Sequence, residues 1–348
     1  MTATEWPLVV TFGEMLLRLS PGDAPRLFES DQMRAGFGGA EANVAVALSH
    51  LDVWCEYVTR LPENLIGDAA LAVMRAEGVQ LSHVLRGPER MGLYFVEPGA
   101  DVGASRVVYD RRASSFAAIT PEAIDWPGIL ADADWLHVTG ITAALGDGPV
   151  AALAAGIATA RDRGIPVSLD LNYRPALWHD RDPVPVIAPL VHGVDLLIAN
   201  PHSARAMLGL DVANDALATE AGALALASRL SREFACRQVA LTRREILGSS
   251  ANRWSAMLYD AATGTLCPSR PWTVTVVDRI GGGDSFAASL IASLLRGRSP
   301  ADALEFAVAA SALKLRVPGD FNRVKTPDVD KMLRGMAATG ATFGELRA

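Results

Sequence analysis

The chain has 348 residues, half of them hydrophobic, and 39 acidic against 32 basic side chains give a net charge of −7. That length and apolar content suit a large α/β core and exclude a disordered chain. The acidic balance, with no basic cluster interleaved with aromatics, disfavours nucleic acid as a partner.

Leu8 to Glu14 reads as a first buried strand that Met15 to Leu19 continues until Pro21-Gly22 breaks it. Gly36-Phe37-Gly38-Gly39 then opens an apolar helix through Val44, Ala47, Leu48 and Leu51. A dinucleotide fingerprint fails here, because the position three after Gly38 is Glu41. Trp54 to Arg60 reads as a strand, Leu61 to Gly67 as a turn and Asp68 to Glu77 as a helix. Gly92 to Glu97 and Arg106 to Arg111, separated by a Pro98-Gly99 turn region, read as two short strands with no helix between them. With Met15 to Phe37 they predict a small second sheet.

From Asp134 onward strands alternate with helices, which predicts parallel α/β structure. His137 sits on an apolar strand and reads as a core histidine rather than a ligand. Asp170-Leu171-Asn172-Tyr173-Arg174 leaves the carboxyl end of a strand, where ligands bind in open α/β sheets, so Arg174 is a candidate clamp for an anion. A surface salt bridge is the competing reading of the same arginine. Asp195 to Asn200 is a further strand, and Pro201 starts a helix where its missing N–H costs nothing. Strands at Val239 to Thr242 and Trp254 to Tyr259 lead to the stretch that organises the chain.

In that stretch the β-branched run Trp272 to Val277 meets Asp278-Arg279-Ile280-Gly281-Gly282-Gly283-Asp284, and apolar residues at helical spacing, Phe286, Leu290 and Leu294, follow. Three glycines let backbone N–H groups converge on one point, and the helix N-terminus adds partial positive charge there. A pocket of that kind holds an anion. Asp284 at its mouth reads either as a cap on the helix or as a base that takes a proton from a substrate hydroxyl. Helices from Pro300 to Leu315 and near Pro327 to Met336, with a turn at Val317 to Asn322 between them, complete the chain.

Several classes are excluded. The only lysines are Lys314, Lys325 and Lys331, and no G-x-x-x-x-G-K-[ST] occurs, so a P-loop is absent and Schiff-base chemistry has poor candidates. Cys55, Cys236 and Cys267 are far apart without C-x-x-C spacing, which argues against a disulfide framework or a zinc site. Met1 to Pro7 lacks a basic n-region and no apolar run approaches the ~20 residues of a membrane span, so a cytoplasmic chain without membrane contact is expected.

The D-x-x-G-x-G-D spacing from Asp278 to Asp284 resembles the C-terminal signature of the PfkB (ribokinase-like) carbohydrate kinases, and Gly38-Gly39 with Asn43 resembles their sugar-binding motif. Phe37 to Val44, Thr139 to Leu145, Asp170 to Arg174 and Pro318 to Asn322 look like the 2-keto-3-deoxygluconate kinases within that family. The resemblance implies one ribokinase-like domain over residues 1–348, with a mostly parallel central sheet flanked by helices and a β-sheet lid from about 15–37 and 90–113. It implies transfer of phosphate from ATP to the C6 hydroxyl of 2-keto-3-deoxygluconate. Asp284 would be the base and Gly281, Gly282 and Gly283 the anion hole. Gly38, Gly39, Asn43, Tyr94, Tyr109, Arg111 and Arg174 would meet the sugar acid, and Asn200, Thr242, Arg244, Asp278, Gly319 and Asn322 the nucleotide. Guanidinium partners suit a carboxylate, which a neutral sugar lacks.

Magnesium is expected to arrive with ATP rather than in a protein cage, with a monovalent cation as a further candidate cofactor, and a homo-oligomer through the lid is open. Two departures stand out. Ser203 occupies the place of a glutamate that helps organise magnesium in the family, and Arg243-Arg244 follow Thr242 where a glycine is usual two positions on. Fructose, ribose or 2-keto-3-deoxygalactonate kinases, and a non-catalytic sensor on the same fold, are the competing functions.

Overall fold

A computed structural model describes residues 6–22, 26–97, 106–248 and 251–339. The Pro98-Gly99 turn, part of each expected lid segment and most of the Met1 to Pro7 stretch lie outside the described residues.

The strands, in chain order, are β1 Leu8–Phe12, β2 Leu16–Pro21, β3 Met33–Gly38, β4 Trp54–Val58, β5 Arg60–Pro62, β6 Leu85–Gly87, β7 Gly92–Glu97 and β8 Arg106–Asp110. They continue with β9 Trp135–Thr139, β10 Val167–Asp170, β11 Leu196–Ala199, β12 Gln238–Ile246, β13 Ala251–Asp260, β14 Thr265–Pro268 and β15 Trp272–Thr275. The large sheet runs β14-β13-β12-β11-β10-β9-β1-β4, with β15 also on β13. From β4 through β12 every pair is parallel, and β13 to β15 add an antiparallel edge.

Parallel strands need helices on both faces, and alternation along each strand supplies two apolar surfaces. Val9 and Val10 of β1 fall into different core clusters, as do Leu196 and Leu197 of β11. One face packs on the helices Ala40–His50, Gly282–Leu295 and Pro300–Lys314, the other on Asp147–Asp162 and Glu220–Phe234. Among the described residues no helix is long and apolar enough to cross a membrane.

The expected small sheet is present in the order β3-β2-β7-β8. One boundary differs from the sequence reading. Residues Met15 to Leu19 do not prolong β1; the chain breaks after Phe12, and β2 joins the small sheet. Gly13 makes the break, since its N–H bonds to Val58 O, its carbonyl accepts from Tyr57, and a Cβ there would collide with Glu41. The strand before the glycine loop also ends earlier, at Thr275, because the N–H groups of Val277 and Asp278 turn to Leu315 O. The helix expected from Asp68 begins at Leu65, where Asn64 Oδ1 accepts from the N–H groups of Ile66 and Gly67. His137 is a core residue, wholly buried, with Nδ1 on Ser168 Oγ; burial holds its pKa at about 3, so the ring is neutral.

Candidate active site

The carboxyl ends of β9, β10 and β11 open into a cleft of about 880 Å³, walled on one side by the glycine loop and on the other by the small sheet. Gly281, Gly282, Gly283 and Asp284 line it, with Gly39 and Asn43 opposite. Gly281 has φ +79, and a Cβ there would stand 2.1 Å from Asp320 O. Only glycine fits that turn. At Gly283 an added Cβ would meet nothing within 4 Å, so this glycine faces open space.

Asp284 lies in the first turn of the Gly282–Leu295 helix, but no side chain caps that helix. Its carboxylate turns away from the helix N–H groups, Oδ2 accepting from Asn43 Nδ2 at 2.7 Å and Oδ1 from Asn172 Nδ2 at 3.5 Å. Burial lifts its pKa to about 6, against the Asn43 bond and the Arg174 charge, which both lower it. Asp170, on the same cleft wall, is pushed to about 7 by burial and by the charge of Asp284, while the Asn172 N–H pulls the other way. Asn172 itself adopts φ +43, a conformation asparagine tolerates better than most residues.

Positive charge converges on this wall. Arg174 and Arg244 line the cleft together with Arg279, and the pKa of Arg244 is lowered by desolvation and then by the like charges of Arg279 and Arg174. Arg174 donates to Tyr173 O at 3.2 Å, and among the described residues no carboxylate lies within ion-pair distance of it. Three guanidinium groups held near one another favour an anionic occupant.

The small sheet contributes Tyr94, Tyr109 and Arg111 to the lining. The two tyrosine rings stack at 6.3 Å, and Arg111 lies over Tyr109 while its Nε donates to Glu14 at 2.6 Å. Arg111 therefore comes to the cleft already paired. Tyr94 OH donates to Asp320 Oδ2.

Asn200 and Thr242 also reach the cleft. Asn200 caps the helix Pro201–Leu208 in a reciprocal box with Ser203, each side chain bonding the other's backbone N–H at 2.9 Å. Ser203 is thus committed to the cap. Gly38, Asp278, Gly319 and Asn322, expected to touch ligands, are not among the residues that line the cleft. A Cβ on Gly38 would strike Asp320 and Tyr94. Asp278 accepts from the N–H groups of Ile280 and Gly319, both at 3.0 Å, and from Arg18 at 2.8 Å. Asn322 is buried, its amide donating to Ser285 and accepting from Val324 N. Asp278 thereby ties Ile280 of the loop to Gly319.

Sequence reasoning missed Arg18, whose second bond reaches Asp320 at 2.6 Å, and with it Glu14 and Asp320. No local signal marks a pairing across 302 positions. Asp170 had a signal, a carboxylate at the carboxyl end of a parallel strand, that the arginine four residues on overshadowed.

Such a cleft has a narrow chemical repertoire. A carboxylate poised near neutrality can take a proton from a hydroxyl while neighbouring N–H groups and guanidinium groups hold an anion, which is the work of a phosphotransferase. The model of the pfkB family carbohydrate kinases matches residues 7–327, and the chain belongs to that family. A crystal structure of 2-dehydro-3-deoxygluconokinase from Thermotoga maritima superposes with a TM-score of 0.90 at 38% identity, covering 95% of this chain and 99% of that one. The fold is ribokinase-like. A 2-dehydro-3-deoxygalactonokinase of Haloferax volcanii is 32% identical over 94% of this chain and 96% of its own length. A 2-dehydro-3-deoxygluconokinase of Thermoproteus tenax is 29% identical over 94% of both.

Proposed function

We propose that the chain is an ATP-dependent sugar-acid kinase that phosphorylates the C6 hydroxyl of 2-keto-3-deoxygluconate (2-dehydro-3-deoxygluconate), giving the 6-phosphate, ADP and a proton. The observation that carries this reading is Asp284, a buried carboxylate turned off its own helix toward Asn43, beside three glycines and in a cleft with Arg174, which has no carboxylate partner among the described residues. Asp284 takes the C6 proton as the oxygen attacks. The N–H groups at Gly281 to Gly283 and the helix N-terminus stabilise the charge on the transferring group. Arg174 holds the substrate carboxylate from one side. Arg111, oriented by Glu14, approaches from the small sheet, which acts as a lid. Asn43 Oδ1 is buried without a partner among the described residues, and a sugar hydroxyl would satisfy it.

Arg244 and Thr242, on the part of β12 that runs past the end of β11, line the cleft, and Arg244 is the residue to meet the polyphosphate. Magnesium enters as the MgATP complex, since it keeps several waters and is held mainly by substrate phosphates. When bound it neutralises phosphate charge. The residues of this chain bind, orient and move the proton.

A second reading is favoured by one observation. The Haloferax 2-dehydro-3-deoxygalactonokinase, 32% identical, falls between the Thermotoga and Thermoproteus 2-dehydro-3-deoxygluconokinases at 38% and 29%, so the C4 epimer, 2-keto-3-deoxygalactonate, is the competing substrate. ADP release with MgATP against both epimers, fructose and ribose tests the proposal. Turnover of one or both sugar acids with little on the neutral sugars supports it, and turnover of fructose or ribose alone contradicts it.

A further inference from the structure

We infer that Lys314 is an internal counter-ion for the anion loop, a positioning residue whose charge lets Gly281 to Gly283 receive a phosphate. This rests on the kinase reading above.

Lys314 is the last residue of the Pro300–Lys314 helix and is 0% exposed, although lysine is almost never fully buried unless paired. Its Nζ carries three donors, yet the hydrogen bond it makes, to Val317 O, is 3.4 Å long. It does not line the cleft and offers no amine to a substrate carbonyl. Its stem lies against the loop instead. A Cβ on Gly281 would meet Lys314 Cε at 3.2 Å, on the same side as Asp320 O.

The reason for a cation at this place is the charge of its surroundings. Asp278 lies off the cleft lining and Asp320 on it, both beside the loop, and Arg18 bridges them with one guanidinium at 2.8 and 2.6 Å. One positive charge against two carboxylates leaves the base of the loop negative. Desolvation by burial, the largest effect, lowers the pKa of Lys314, and the Arg18 charge adds to it, while Asp278, Asp320 and Asp284 pull the other way; the charge that these carboxylates retain on Lys314 offsets the negative balance of the Arg18, Asp278, Asp320 group. A residual negative charge there would oppose the N–H groups that must hold phosphate, and in a buried setting it would be weakly screened. Asp278 and Asp320 cannot be dispensed with, since they order Ile280, Gly319 and Tyr94. Lys314 removes the electrostatic conflict that this ordering creates.

The test uses Lys314→Met, which keeps the stem without the charge, and Lys314→Ala, which leaves space for a small cation. Steady-state kinetics is read on whichever sugar the wild-type enzyme turns over, with ATP affinity measured separately by calorimetry. The inference expects Lys314→Met to lower kcat about tenfold to a hundredfold, less than the loss of a direct oxyanion donor, and to weaken ATP binding, with KM for sugar little changed. Lys314→Ala regains turnover as ammonium or ethylammonium is added, and Lys314→Met does not. Wild-type kcat and ATP affinity in Lys314→Met overturn it, and so does a folded Lys314→Ala that no small cation restores. Should Lys314→Ala fail to fold, Lys314→Met decides alone. A wild-type chain that turns over no sugar counts against the functional reading, and the ATP-affinity arm still judges Lys314.

Discussion

Asn43 and Asp284, 241 positions apart, meet through a 2.7 Å hydrogen bond. Each stands in the first turns of a helix that a glycine opens, Gly39 before Ala40–His50 and Gly281 before Gly282–Leu295. The bond joins the two glycine motifs into one site and turns the carboxylate toward the cleft. It also stabilises the ionised form, offsetting part of the burial that raises the pKa.

That balance sets the pH response. A base must be deprotonated to act, and Asp284 titrates at about 6, so kcat should rise with pH through about 6 and level off above it. Asn43→Ala removes a contribution that lowers the pKa, and the acidic limb should therefore move to higher pH. A pH profile of kcat for both proteins checks this; a limb that moves downward, or an unchanged one, removes the Asn43 contact from control of the base.

Arg174→Ala should raise KM for a sugar acid by about tenfold to a hundredfold, the worth of a hydrogen bond to a charged group at about 1.5–3 kcal/mol. For fructose the change should be small. Equal effects on the acid and the neutral sugar would place Arg174 outside the carboxylate pocket.

The three loop glycines should respond differently to alanine. Gly281→Ala forces a side chain into a left-handed turn and against Asp320 O, and should cost about 1–3 kcal/mol of stability or more, together with activity. Gly283→Ala meets open space, so its melting temperature should match wild type while turnover falls, because the methyl group occupies ground that the phosphate needs. Melting curves and kcat separate the two. A fully active Gly283→Ala would move the phosphate elsewhere.

Much of this site is legible in the sequence because its main parts are local. The glycine runs, the adjacent Asp284, the strand-end Arg174 and the Pro201 helix start are each visible within ten residues, and alternation alone separates the two faces of the parallel sheet. What stayed hidden is pairing at a distance. Nothing near Arg18 points to Asp278 and Asp320, and nothing near Glu14 points to Arg111. For the same reason the bonds from Asp278 to Ile280, Gly319 and Arg18, and from Asn322 to Ser285, could not be read from the motif that contains them. The break at Gly13 was also invisible, since the apolar run resumes at Met15 after only Gly13 and Glu14, while the crowding by Glu41 that leaves no room for a Cβ at Gly13 comes from a distant part of the chain.

The most direct test of the central claim, that Asp284 is the base of a phosphoryl transfer, is Asp284→Asn measured for both binding and turnover. ATP and sugar-acid affinities should stay near wild type, since the amide keeps the shape of the side chain and can still meet Asn43. Turnover should fall about a hundredfold to ten-thousandfold, the range of a lost general base. Wild-type turnover in Asp284→Asn would contradict the account.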